Sequence, residues 1–290
     1  MEFSKLHALG NDFLVAKAGE AGSSRRSRAV IARGICDRHC GVGADGMIFY
    51  QPTHGDGDAD FSALIFNADG SKAEMSGNGM RCLAASLIHC GEHTGKIVRI
   101  RTVSGIKKLT LIGRNGLSYR FECSMGHPVT DPAEIPARID SGGQPVLDYS
   151  LAIESETVRV SLCSMGNPHC STFWPDVAGA PVETLGPALE THAIFPNRTN
   201  VEFIQVLDRH HLRVRFWERG VGRTLASGTG SSAAAVAAIL RELAESPLTV
   251  ETELGSLRVD WQHGQELILT GPADFVCSGD YPAGDQGAGA

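Results

Sequence analysis

The feature that most limits what this chain can become is a tetrapeptide written twice. Residues 76–79 read SGNG and residues 227–230 read SGTG, about half the 290-residue chain apart. Each opens an apolar, helix-forming run: MRCLAASLIHCG at 80–91, closed by Gly91, and SSAAAVAAILRELAE at 231–245. Around both runs lie short segments in which apolar and polar residues alternate, the pattern of half-buried strands. They fall at 13–18, 46–50, 62–66, 97–103, 107–113 and 118–123 in the first half. In the second half they fall at 156–166, 200–206, 211–218, 256–261 and 266–271. A repeated order of strands, Ser-Gly-X-Gly turn and apolar helix predicts a duplicated unit. The expected class is α/β (α+β), with antiparallel or mixed sheet around one helix in each half. The Pro-, Gly- and Asp-rich segment 125–147 suits a crossover between the halves. The expected domains are therefore 1–124, completed by a C-terminal return at about 268–278, and 125–267, with a disordered tail over 279–290.

Charge excludes some partners. Against 26 Lys and Arg stand 33 Asp and Glu, a net charge of -7, so no broad basic face is available for nucleic acid or an anionic membrane. The small cluster Arg25, Arg26 and Arg28 reads as a solvated loop or helix start. No apolar run approaches the ~20 residues of a membrane helix, and MEFSKLHALGNDF lacks the form of a secretory leader. A cytoplasmic protein with 8 reduced cysteines is the expectation. Cys36, His39 and Cys40, or His169 and Cys170, come nearest to a metal set, but their spacing matches no standard one. No metal is expected, and the thiols read as buried and inert.

A Ser-Gly-X-Gly turn running into a helix gathers backbone N–H groups at one point, where the helix dipole also favours negative charge. A serine-capped turn of purely structural use would look the same; two such turns in one chain favour cradles for the carboxylate of a small molecule. Other polar motifs are GNDF (10–13), GVGADG (41–46), FNADGS (66–71), SMGNPH (164–169), RTNVEF (198–203) and ERGVGRTLASGTG (218–230). Asparagines at turns are mostly local caps. Asn11, Asn67, Asn167 and Asn200 together, with the pair Glu218 and Arg219, instead suit a zwitterionic amino acid. Arg219 and the cradles would take carboxylates, and Glu218 an ammonium.

In order and spacing these motifs, with SGNGMRC (76–82), resemble the diaminopimelate epimerase family from residue 10 to residue 230. The resemblance implies two pseudo-symmetric domains, each a barrel-like sheet around a central helix, with the active site in the cleft between them. It implies interconversion of LL- and meso-2,6-diaminopimelate without pyridoxal phosphate or metal, on the lysine and peptidoglycan route, by a homodimer. Carried over by position, the substrate contacts are Asn11, Asn67, Gly77, Asn78, Asn167, Asn200, Glu218, Arg219, Gly228 and Thr229. His169 and Glu218 fall where the family tunes its catalytic groups. Gly46 stands where some relatives have glutamine and is not counted.

The departure lies at the reacting positions. The family uses two cysteines, one thiolate and one thiol, and the matching residues here are Ser76 and Ser227. A thiol with a pKa near 8.5 can be tuned to this work, whereas a serine hydroxyl needs an adjacent base. Four readings stay open: a deliberate double substitution, native serines helped by His169 or Glu218, a dehydratase or isomerase acting on another small amino acid, or a ligand-binding protein without turnover. Cys82 lies well inside the helix and is not expected to substitute.

Overall fold

The computed structural model describes residues 1–21, 27–53, 57–73, 76–153 and 156–282. The chain divides into two units, Met1–Cys123 with Gly271–Ala290, and Ser124–Thr270. Each is built around one helix that begins at a Ser-Gly-X-Gly turn.

In the first unit β1 (Glu2–Ala8), β2 (Asn11–Lys17), α1 (Ala18–Ala21) and α2 (Arg28–Cys36) come first. They are followed by β3 (Gly46–Pro52), β4 (Phe61–Asn67), β5 (Lys72–Ala73), α3 (Gly77–His89), β6 (Ile97–Thr102), β7 (Gly105–Asn115) and β8 (Ser118–Gly126). Neighbours run β1-β2-β3-β4-β6-β7-β8, and the last strand of the chain, Leu267–Asp280, pairs with both β8 and β1. The eight strands thus form a closed ring, which leaves no unpaired edge. Inside it sits α3, with eleven of its thirteen residues buried, packed against β1, β2 and β7. The pairs β2–β3 and β4–β6 are parallel, and β1–β2, β3–β4, β6–β7 and β7–β8 are antiparallel.

The second unit contains β9 (Tyr149–Ile153), β10 (Glu156–Ser164), β11 (Pro168–Phe173), α4 (Val182–Glu190), β12 (Asn200–Asp208) and β13 (His211–Glu218). It continues with β14 (Gly222–Thr224), α5 (Gly228–Leu240), β15 (Leu248–Thr252), β16 (Gly255–Asp260) and the start of β17 (Leu267–Asp280). The parallel pairs recur in the same places: β11–β12 matches β2–β3, and β13–β15 matches β4–β6. Helix α5 touches β10, β11, β12, β13, β15 and β16. Its alanines keep the cylinder thin enough for strands to approach on all sides; ten of its thirteen residues are buried.

The duplication extends to single residues. Gly10 and Gly166 hold φ of 78° and 91° in the turns that lead into β2 and β11. These are left-handed conformations that glycine adopts without strain. They deliver Asn11 and Asn167 to matching positions. Phe13 pairs with Gly46 in the first unit as His169 pairs with Asn200 in the second.

Several boundaries differ from the sequence expectation. Both helices start about three residues early, because the glycines of the tetrapeptides belong to the first turn. The second ends at Leu240 rather than 245, since the chain turns away at Glu242 with φ 58°. The strands β1, β5, β9, β11, β14 and β15 are additional; each is too short or too mixed in polarity to stand out. Arg28 opens α2 behind the Ser27 cap, while Arg25 and Arg26 lie outside the described residues. The expected tail at 279–290 starts too early: Gly279 and Asp280 pair with Phe3 and Glu2, and Tyr281 N–H bonds Met1 O at 2.9 Å. Residues 283–290 lie outside the described residues.

A methyl group on Gly230 would lie 2.8 Å from the Phe216 ring and 3.1 Å from Ser227 Cβ, whereas one on Gly79 would meet nothing nearer than 3.3 Å. Gly230→Ala should therefore destabilise the protein by about 1–3 kcal/mol through overpacking. Gly79→Ala should cost less than ~1 kcal/mol, because a helix prefers alanine. Urea titration of the two variants checks the ordering.

Candidate active site

Each buried helix leaves its first N–H groups to be satisfied, and the serine of each tetrapeptide meets part of that need. Ser76 and Ser227 are N-caps of almost identical conformation, at φ -138°, ψ 116° and φ -137°, ψ 128°. Ser76 Oγ accepts from Gly79 N–H at 3.0 Å, and Ser227 Oγ from Gly230 N–H at 3.2 Å. The Ser76 and Ser227 carbonyls accept from Met80 and Ser231. The N–H groups of Gly77 and Asn78, and of Gly228 and Thr229, have no partner among the described residues. Two adjacent donors at a helix N-terminus fit one carboxylate.

In the first unit the polar groups are joined end to end. Asn78, buried in the first turn of α3, donates from Nδ2 to Asn11 Oδ1 at 3.2 Å. Asn11 donates onward to Asp45 Oδ2 at 2.9 Å. Behind Asn78, Arg81 Nη2 donates to its Oδ1 at 2.5 Å. Asp45 belongs to a cluster with Arg38, Asp12 and Lys5. Burial resists ionisation of Asp12, but Arg38, Lys5 and the Asp45 N–H outweigh it and hold its pKa below the ordinary value. Asn67 closes β4 directly across from Gly46 and is exposed, donating to Ser71 Oγ at 2.9 Å. A side chain on Gly46 would meet Phe66 O at 2.8 Å and the Phe13 ring at 3.0 Å. Phe13 therefore occupies the space a longer residue at position 46 would need.

The second unit gathers its acid, base and amide groups more tightly. His169 is fully buried and hydrogen-bonds Glu202 Oε1 through Nδ1 at 2.6 Å and Asn167 Oδ1 through Nε2 at 2.9 Å. Ser171 donates to the other Glu202 oxygen at 3.2 Å. Asn200 is fixed by the backbone: Nδ2 donates to Pro168 O at 2.8 Å, and Oδ1 accepts the Arg219 N–H at 3.0 Å. The turn carrying Glu218 and Arg219 is tied down by Glu190, which accepts from Gly220 N–H at 2.9 Å and from Trp217 Nε1 at 2.7 Å.

Glu218 keeps some exposed area as a residue, but its carboxyl group is enclosed. Burial raises its pKa, against hydrogen bonds from Thr224 (2.8 Å) and Ser227 and the field of His169. A carboxyl group displaced upward is a better base once ionised, and it stands beside a serine hydroxyl. Ser76 has no such neighbour: among the described residues neither an acid nor a histidine hydrogen-bonds its Oγ, and the Phe13 ring lies against the same Gly79 that Ser76 Cβ abuts. Nor does a thiol take over. Cys82 is fully buried, and burial pushes its pKa up to about 12, as it does for Cys36; Cys123 rises to about 11. Cys40, Cys90 and Cys277 are exposed rather than buried as expected.

The residues singled out from the sequence therefore form two groups. Ser76, Gly77, Asn78 and Asn11 form one, with Asn67 at the end of β4. Asn167, His169, Asn200, Glu218, Arg219, Ser227, Gly228 and Thr229 form the other. Sequence reasoning missed Arg81, Asp45, Glu202 and Thr224. Arg81 and Glu202 were signalled only as charges inside apolar runs.

Because folding raises its pKa, Glu218 contributes stability that is fully present below the ordinary 4.5 and lost as pH rises through the raised value. Relative to the native protein, Glu218→Gln should gain stability as pH rises across that window. Chemical denaturation from pH 4 to pH 8 checks it; a constant difference would contradict an enclosed, titrating Glu218.

The diaminopimelate epimerase family model matches residues 3–130 and 161–276. The diaminopimelate epimerase of Moorella thermoacetica is 43% identical over 283 residues, covering 97% of this chain and 99% of the relative. That of Synechococcus elongatus is 42% identical over 279 residues, covering 96% and 97%. A hydroxyproline epimerase from Agrobacterium vitis shares the fold, with a TM-score of 0.65 at 16% identity, covering 97% of this chain and 90% of its own.

Proposed function

The chain belongs to the diaminopimelate epimerase family, and we propose that it inverts one α-carbon of 2,6-diaminopimelate, interconverting the LL and meso forms by proton transfer without a cofactor. The near full-length family match carries this reading. The polar residues support it, since donors for carboxylates and acceptors for ammonium groups are present in both units. On the same reading the protein works in the cytoplasm as a homodimer, on the lysine and peptidoglycan route.

Inversion requires one group to remove the α-proton and a second to return a proton to the opposite face. Ser227 can do the first through Glu218. Its oxygen takes the α-proton as its hydroxyl proton passes to the Glu218 carboxylate, and the electron pair stays on the α-carbon, stabilised by the adjacent carboxylate at a helix N-terminus. Ser76 can give its hydroxyl proton to the other face, but among the described residues the alkoxide left behind has only the helix N-terminus to stabilise it. We therefore assign Ser76 as the slower group.

Exchange of the substrate α-proton in D2O tests the proposal. The native chain should exchange faster than it inverts. Ser76→Cys should raise inversion more than Ser227→Cys, and the double variant should exceed the native rate by about 10²-fold or more, the scale of one well-tuned acid–base group. If the double variant neither exchanges nor binds diaminopimelate, the reading is wrong.

A further inference from the structure

Arg81 is a cation in the interior of the first unit. It projects from α3, is fully buried, and has no carboxylate in ion-pair range among the described residues. Nε donates to Pro272 O at 3.1 Å, on the returning strand β17, and Nη2 donates to Asn78 Oδ1. Nη1 is buried with no hydrogen-bond partner among the described residues. Enclosing a guanidinium in this way is strongly unfavourable, and a well-packed apolar residue would usually serve stability better. The position therefore calls for a use other than packing.

Its hydrogen bonds supply one. A guanidinium can only donate and an ionised carboxylate can only accept, whereas an amide can be turned either way. Arg81 and Asp45 stand at opposite ends of the chain Arg81, Asn78, Asn11, Asp45. With a donor fixed at one end and an acceptor at the other, both asparagines have a single orientation. Each receives on Oδ1 and gives one N–H of Nδ2 onward. What remains on each amide is a second N–H, and the N–H groups of Gly77 and Asn78 have no partner among the described residues. The turn is then made of donors with a buried positive charge behind it.

We propose that Arg81 is a positioning and specificity-determining residue. It locks Asn78 and Asn11 as one-way donors and places behind the first-unit cradle a charge that no carboxylate among the described residues pairs with, so that this cradle selects a carboxylate over a neutral isostere. The inference rests on the proposed diaminopimelate reading only for the identity of the ligand; the charge and the amide orientations do not depend on it.

Calorimetry with the full chain and Arg81→Gln supplies the test, using meso-diaminopimelate and its mono-carboxamides as probes. The native chain should prefer the carboxylate at the cradle-bound end by tenfold or more, and Arg81→Gln should lose most of that preference. A purely structural role would weaken all probes together and leave the ratio unchanged, which would overturn the proposal. A second arm needs no ligand. Asn78→Asp gives Arg81 a counter-ion, so it should raise the thermal midpoint in the native background and lower it beside Arg81→Gln. Equal effects in both backgrounds would also overturn the proposal. If the second arm behaves as expected and the native chain binds neither probe, the device stands and the diaminopimelate reading fails.

Discussion

A helix surrounded by strands must satisfy its own first turn. In water the leading N–H groups bond solvent, but α3 and α5 begin deep among strands, where an unpaired donor is costly. Ser76 and Ser227 each satisfy one such group through the side chain, and the next turn closes on their carbonyls. The remaining N–H pairs have no partner among the described residues. Much of the surrounding chemistry follows from that remainder: glycines that let the backbone come close, asparagines that extend the donor set, and an enclosed acid beside one serine.

The two units solve the same problem with different neighbours. Where the second unit has His169 beside Asn200, the first has Phe13 beside Gly46. Among the described residues, Glu218 hydrogen-bonds Ser227 and feels the field of His169, whereas neither an acid nor a histidine hydrogen-bonds Ser76. A duplicated fold kept its backbone and diverged in the acid–base character of the two ends, the kind of difference expected of two groups that handle a proton unequally.

Much of this was legible in the sequence because it rests on local rules. Alternation marked the central strands, and the serine-glycine turns marked both helix starts. Turn asparagines marked the polar groups. Edge-length strands such as β11 were not legible, since six residues led by proline carry little periodic signal. The parallel pairing of β4 with β6 is non-local, and nothing in either segment encodes it. The roles of Arg81 and Glu202 were hidden for a related reason. A charge inside an apolar run announces that something is unusual, but its partner, Asn78 or His169, is settled only by which strand or turn lies alongside.

The ring of the first unit is closed by residues that come last in the chain. Gly279 and Asp280 pair with Phe3 and Glu2, and the Pro272 carbonyl that receives Arg81 lies on the same returning strand. The second unit, by contrast, is one continuous stretch, Ser124–Thr270. During synthesis on the ribosome the second unit has its whole sequence available while the first still lacks a strand. The half that begins the chain is thus the half completed last. Until β17 arrives, β1 and β8 present unpaired edges and the Arg81 guanidinium lacks its carbonyl, so the first unit stays incomplete while the second can already close.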